Sequence, residues 1–225
     1  MKIMIIEDDR YILDSLKSEL SRWSYEVCSP TDFSQIMRTF SSEQPHLVMI
    51  DIQLPQYDGF HWCREIRNVS KVPIIFLSSR DHPMDMVMAM NTGADDYVQK
   101  PFNMEVLIAK IKSLLRRVYS YEEAAIDILE WNHAVIDLKS GEIKKDDVTL
   151  NLTRNECFIL SVLVNASNTI VSRQELMKLL WDDDQYINDN TLTANVKRVR
   201  EKLEPLGLSK ALLTKKGQGY MAVTL

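Results

Sequence analysis

Along residues 1–118, short apolar runs of strand length alternate with longer stretches whose apolar residues recur on one helical face. Residues 2–6, 25–28, 47–50, 74–77 and 97–99 predict strands, and residues 10–23, 32–40, 59–68, 84–91 and 103–118 predict helices. Strands that read as unbroken apolar runs are buried on both faces. Five repeats of strand then helix therefore predict a parallel sheet covered by helices on both sides. An acidic stretch from Tyr121 to Asp127 then reads as a linker.

From Ile128 the period changes to short alternating strands with turn signals such as Lys139-Ser140-Gly141. Three helices are predicted after them, over residues 153–165, 173–181 and 191–203. Thr153 and Glu156 are spaced as a capping box at the start of the first. Residues 212–223, with Gly217 and Gly219 at their centre, predict a β-hairpin. The expected organisation is a first domain over 1–118, a linker over 119–127 and a second domain over 128–225.

Composition narrows the class of protein. The chain has 225 residues, 45% of them hydrophobic, which is enough for two compact cores. Cys28, Cys63 and Cys157 are odd in number and match no metal-ligand spacing, so each reads as a small buried hydrophobe in a reducing cytoplasm. No signal-like segment or membrane-length apolar run is present, and a cytoplasmic protein without membrane insertion is expected. The formal net charge is -5, but it is unevenly spread. Residues 121–189 carry 6 basic and 14 acidic side chains, net -8, whereas residues 190–225 carry 7 basic and 2 acidic, net +5. A basic block confined to the last 36 residues predicts a local phosphate-binding face.

In an open α/β sheet, ligands bind beyond the carboxyl ends of the strands, so the residues that end each strand carry the chemistry. The first predicted strand ends in Glu7-Asp8-Asp9, the third in Asp51, the fourth in Ser78-Ser79 and the fifth in Lys100-Pro101. Singly, each has an ordinary explanation, since acids after a strand cap helices and Lys-Pro makes a turn. As a set they converge on phosphoryl transfer. Neighbouring carboxylates hold a hard divalent cation such as Mg2+. Asp51 can act as a carboxylate nucleophile that forms an acyl phosphate. Lys100 and the Ser78 hydroxyl would meet the charge that gathers on the equatorial oxygens.

Residues 1–118 resemble the receiver domain of two-component response regulators. Two segments carry the resemblance: Asp51-Ile-Gln-Leu-Pro-Gln-Tyr-Asp-Gly59 and Gly93-Ala-Asp-Asp-Tyr-Val-Gln-Lys-Pro-Phe102. It implies a flavodoxin-like α/β sheet of strand order 2-1-3-4-5. It also implies Glu7 and Asp8 as the acidic pair, Asp51 as phosphoacceptor and Gln53 as a metal ligand through its backbone carbonyl. Ser78 becomes the switch hydroxyl, Tyr97 the switch aromatic and Lys100 the phosphate-binding lysine, with the Lys100-Pro101 peptide in cis.

In residues 191–203, Leu192, Val196, Val199 and Leu203 recur at steps of 4, 3 and 4 and form one buried stripe. The opposite surface is then expected to carry Asn190, Thr193, Ala194, Lys197, Arg198 and Glu201, with Asn195, Arg200 and Lys202 on the flanks. A helix with a basic outer face and small polar residues near its first turn can enter the major groove. Residues 128–225 resemble the α+β winged helix-turn-helix effector of the OmpR/PhoB family, down to Leu-Trp181 and the Gly-Gln-Gly-Tyr220 hairpin. That implies a recognition helix, DNA contacts from Asn190, Thr193, Ala194, Lys197, Arg198 and Arg200, and Lys216 at the wing tip. Through Tyr57-Asp-Gly-Phe-His-Trp-Cys63, Phe76-Leu-Ser-Ser-Arg80 and Pro83-Met-Asp-Met-Val-Met88, the chain is similar within the family to regulators of bacitracin and antimicrobial-peptide responses in low-GC Gram-positive bacteria. The resemblance implies further partners: a membrane sensor histidine kinase, promoter DNA with tandem half-sites, RNA polymerase at the acidic loop 182–189, and a second copy of the chain. The implied dimer face contains Met86, Asp96, Val106 and Lys110, with Asp96 and Lys110 as an ion pair, Met86 opposite Val106, and Asn91 opposite Arg117.

Two other functions compete. A phosphohydrolase of the haloacid dehalogenase type also uses an aspartate nucleophile, Mg2+ and a lysine. It needs a second carboxylate two residues after the nucleophile, where this chain has Gln53. A regulator that uses the receiver only as a dimerisation scaffold would not need the complete set of phosphorylation residues.

Overall fold

A computed structural model describes residues 1–79, 83–119, 128–181 and 189–225. The chain divides into two compact units, Met1–Ile111 and Lys112–Leu225.

In the first unit, β1 (Lys2–Ile6), β2 (Glu26–Cys28), β3 (Leu47–Asp51), β4 (Ile74–Ser78) and β5 (Asp96–Gln99) form one sheet in the order β2-β1-β3-β4-β5. Every pairing is parallel. The predicted fold class and strand order are observed. All five residues of β3 and of β4 are buried, as sheets covered on both faces require. The helices are α1 (Arg10–Arg22), α2 (Ile36–Glu43), α3 (Gly59–Val69), α4 (Pro83–Thr92) and α5 (Met104–Tyr119). Their inner faces contribute Leu16, Leu20, Ile36, Phe40, Phe60, Ile66, Met90 and Leu107 to the core.

Boundaries follow local capping. Asp9 caps α1 by accepting from the amides of Tyr11 and Ile12, and Asp58 caps α3 by accepting from that of His61. The second predicted helix is split. Asp32 accepts from the amide and hydroxyl of Ser34, which tightens residues Phe33–Gln35 into a 3-10 turn, and α2 starts only at Ile36.

The second unit begins inside the predicted receiver, partway along α5. There the Ser113 hydroxyl donates to the Leu180 carbonyl, and Arg117 hydrogen-bonds the Asn155 side chain. Its strands β6 (Ile128–Trp131), β7 (Ala134–Asp137), β8 (Glu142–Lys145) and β9 (Val148–Asn151) form an antiparallel sheet in sequence order. Then come α6 (Arg154–Asn165), the short β10 (Val171–Ser172), α7 (Arg173–Trp181) and α8 (Asp189–Leu203). The hairpin β11 (Leu212–Lys215) and β12 (Gly219–Ala222) closes the chain, with β12 between β10 and β11. The capping box at Thr153 and Glu156 is formed. Leu160 and Leu163 of α6, Leu176 and Leu180 of α7, and Leu192, Val196, Val199 and Leu203 of α8 pack into one core.

Candidate functional site

The ends of β1, β3, β4 and β5 bring the predicted residues together. Because the strands are parallel and in register, Asp51 lies beside Leu77, and Ser78 beside Gln99. Lys100 Nζ donates to Asp51 Oδ2 at 2.6 Å and to Glu7 Oε2 at 2.7 Å. Glu7, Asp51 and Ser78 are buried, and Asp8 is exposed at the rim. The backbone amide of Gln53 donates to Asp51 Oδ1 at 3.0 Å. The peptide between Lys100 and Pro101 is cis, as the resemblance implied. Tyr97 on β5 is buried, at 7% exposure.

Gly59 makes the loop after Asp51 possible. Its amide donates to the Ile52 carbonyl, and a Cβ there would lie 2.2 Å from the Asp51 carbonyl oxygen. Only a residue without a side chain lets α3 start against the end of β3.

Carboxylate oxygens of Glu7, Asp8 and Asp51 lie within 4.8 Å of one another. Three carboxylates facing one ammonium leave two formal negative charges, the complement of a hard divalent cation. The stress shows in Glu7. Burial pushes its carboxyl up to about 7, Asp51 adds to the rise, and Lys100 opposes it. For Lys100 burial alone would favour the neutral amine. The carboxylates of Asp51 and Glu7 outweigh it and raise the ammonium's pKa. The donor set thus fits a divalent cation.

At the second predicted site, some of the expected residues are exposed and others are buried. On α8, Thr193 and Lys197 are exposed and Arg200 is half-exposed, and Lys216 is exposed between β11 and β12. Arg200 is fixed to the hairpin: Nε donates to the Leu212 carbonyl at 3.1 Å and a terminal nitrogen to the Thr214 hydroxyl at 2.8 Å. Lys197 meets Glu201 at 3.5 Å on the exposed face.

Arg198 and Ala194, expected on that face, are buried instead, at 6% and 8% exposure. Arg198 Nε donates to Glu156 Oε1 at 2.8 Å, and Lys202 Nζ donates to Glu156 Oε2 at 2.7 Å. Thr191, Asn195, Arg198 and Lys202 form a second stripe beside the apolar one, from which Arg198 and Lys202 reach Glu156 of α6, and Thr191 and Asn195 are also buried. Their 4-3-4 spacing was the available signal, but their polarity argued for solvent. The side chain of Asn190 and the acidic loop 182–188 lie outside the described residues.

Sequence reasoning missed Arg173. Its guanidinium donates to the Thr193 hydroxyl at 2.8 Å and hydrogen-bonds the Tyr220 hydroxyl, so one cation joins the start of α7, the outward face of α8 and the hairpin.

The dimer-face residues are also placed. Met86 and Val106 are half-buried. Asp96 is 2% exposed, and Lys110 of the same chain reaches both of its oxygens, at 3.0 and 2.8 Å. The expected ion pair is therefore already closed within one chain. Arg117, expected opposite Asn91, is buried in the second unit.

Two family models match separate parts of the chain. The response regulator receiver domain family matches residues 3–112, and the family described as transcriptional regulatory protein, C terminal, matches residues 147–222. The sensory transduction protein BceR of Halalkalibacterium halodurans is 51% identical, over 98% of this chain and 96% of its own. The response regulator protein GraR of Staphylococcus aureus is 50% identical, over 99% of each. Among solved structures, the response regulator DrrB, an OmpR/PhoB homologue from Thermotoga maritima, is 25% identical. It covers 99% of this chain and 98% of its own, with a TM-score of 0.51. A mutant of RitR covers 100% and 99% at a TM-score of 0.78 and 20% identity, a likeness of fold alone.

Proposed function

This chain belongs to the OmpR/PhoB type of two-component response regulators and to their BceR/GraR-like group, and from that premise we propose that Asp51 accepts a phosphoryl group from a sensor histidine kinase. The family regulates transcription, and the chain is a regulator of that kind and not an enzyme. The observation that carries the phosphoacceptor reading is Lys100, which holds Asp51 and Glu7 together at the ends of three different strands. Asp51 Oδ attacks phosphorus, the bond from phosphorus to the donor breaks, and the Lys100 ammonium is in place to meet the charge on the transferred group. Mg2+ held by Glu7, Asp8, Asp51 and the Gln53 carbonyl would supply further charge neutralisation. Ser78 and Tyr97 are the switch residues of this reading.

Downstream, phosphorylated chains pair through the face that includes Met86, Asp96, Val106 and Lys110, and two effector units occupy tandem half-sites about one helical turn apart. Thr193, Lys197, Arg200, Arg173 and Lys216 are the contacts we assign to promoter DNA, with Asn190 as the family's further contact. RNA polymerase is the partner of loop 182–189. The regulated genes are those of cell-envelope stress and antimicrobial-peptide resistance, activated from the cytoplasm. Among the described residues no helix is long and apolar enough to cross a membrane.

Intact-mass analysis after incubation with acetyl phosphate and Mg2+ tests the phosphoacceptor. We expect a labile adduct of one phosphoryl group on the wild-type chain and none on Asp51→Asn, whose amide cannot act as the nucleophile. Retention of the adduct by Asp51→Asn overturns the assignment. Steady turnover without adduct favours the phosphohydrolase.

A further inference from the structure

Among the described side chains that α8 exposes, Thr193 stands nearest the start of the helix, the end from which recognition helices meet base edges. The next two in that row, Lys197 and Glu201, are charged and meet each other at 3.5 Å. Thr193 is small and uncharged, and its hydroxyl is already engaged. A terminal nitrogen of Arg173 donates to Thr193 Oγ1 at 2.8 Å. That guanidinium is itself held: its other terminal nitrogen hydrogen-bonds the Tyr220 hydroxyl, and its central carbon lies 5.3 Å from the centre of the Tyr220 ring. A planar cation bonded to two hydroxyls and set over an aromatic face makes a stiff clamp.

A threonine β-carbon carries a hydroxyl, a methyl and a hydrogen. Its first torsion is stiff, and in a helix the partners of the hydroxyl select between two rotamers. With the Thr193 hydroxyl drawn to Arg173 at the start of α7, the group left for this exposed side chain to offer a base is its γ-methyl. In the major groove the C5 methyl marks thymine, and a threonine methyl is an apolar contact that suits it.

We infer that Thr193 is a specificity-determining residue that reads the 5-methyl group of a thymine through its own γ-methyl, and that Arg173 is the positioning residue that turns it so. The inference rests on α8 being the recognition helix.

The full chain, phosphorylated with acetyl phosphate and Mg2+, enriches a binding duplex from a random pool. Each thymine of one half-site is then replaced in turn by deoxyuridine, which lacks only the methyl. Fluorescence anisotropy is expected to show one position where the replacement weakens wild-type binding about three- to fivefold, the effect of one buried methyl group. Thr193→Val keeps a methyl and keeps that loss, whereas Thr193→Ser, with a hydroxyl and no methyl, binds the two duplexes equally. Arg173→Ala binds both more weakly and shows a smaller difference between them. A wild-type chain indifferent to every replacement overturns the inference, as does a Thr193→Ser chain that still discriminates. Loss of discrimination in Thr193→Val also overturns it, since the hydroxyl would then be the reader. An undiminished difference in Arg173→Ala removes Arg173 from the positioning role. If the wild-type chain enriches no sequence at all, the reading of α8 as a recognition helix falls, and the inference with it.

Discussion

Glu156 has no exposed surface, and its two oxygens hold Arg198, Lys202 and the Thr153 amide. Burial alone would raise its pKa. The charges of Arg198 and Lys202 outweigh that and hold the carboxyl down at about 2. A carboxylate whose pKa is lower folded than unfolded contributes stability that is full above the unfolded value, about 4.3, and is lost as pH falls toward the folded one. Glu156→Gln leaves Arg198 buried beside a neutral partner and is expected to cost about 3–5 kcal/mol near neutral pH. Between about pH 4.5 and pH 2 the gap to wild type should narrow. Urea unfolding of the full chain, followed by hydrogen exchange of α6 and α8 amides, measures both. A gap of equal size at pH 3 and pH 7 would show that the charge on Glu156 contributes nothing.

At the scale of the element, α8 has two working faces and a clear division between them. Leu192, Val196, Val199 and Leu203 fill the core, and Arg198 with Lys202 locks the helix to α6 through Glu156. That leaves Thr193, Lys197 and part of Arg200 outward, with Arg173 and the hairpin fastened beside them. Lys197→Ala should therefore weaken promoter binding and reduce the slope of log affinity against log salt by about one unit, as loss of one phosphate contact does. Arg198→Ala should instead lower unfolding stability, and its effect on DNA should follow the loss of fold. Fluorescence anisotropy across a salt series, beside urea melts of both variants, separates the two. A Lys197→Ala chain that binds like wild type would remove Lys197 from the interface.

For the whole molecule, the proposed pairing of phosphorylated chains would use the face of α4 and α5. The receiver presents an apolar helix there: Met84, Val87 and Met88 of α4 are exposed, and Met86 and Val106 are half-buried. The charges of Asp96 and Lys110 are already matched within the chain. Exposed ion pairs weaken as salt rises, whereas apolar burial is little screened. The Asp51-phosphorylated chain is thus expected to remain dimeric from about 0.1 M to about 1 M salt. Met86→Arg should return it to monomer by placing a charge on the apolar face. Sedimentation velocity reads both outcomes, and a dimer that dissociates with salt, or ignores Met86→Arg, would put the apolar pair elsewhere.

The order of apolar runs alone determined the five parallel strands, and with them which residues stand at the strand ends. Glu7, Asp51, Ser78 and Lys100 could be read as one site because a βα repeat carries every strand end to the same edge of the sheet. Capping at Asp9, Asp58 and Thr153 is equally local, so the starts of α1, α3 and α6 were legible. What lies across a packed interface was not. Periodicity assigns a polar side chain to solvent, and only the folded chain shows Glu156 of α6 waiting opposite Arg198. Ser79 and Gln53 are likewise 26 residues apart in sequence, and parallel strand pairing brings them within one hydrogen bond. A pattern along the chain records each residue's own preference for water, whereas partnership between distant polar residues exists only once the backbone has set their distance.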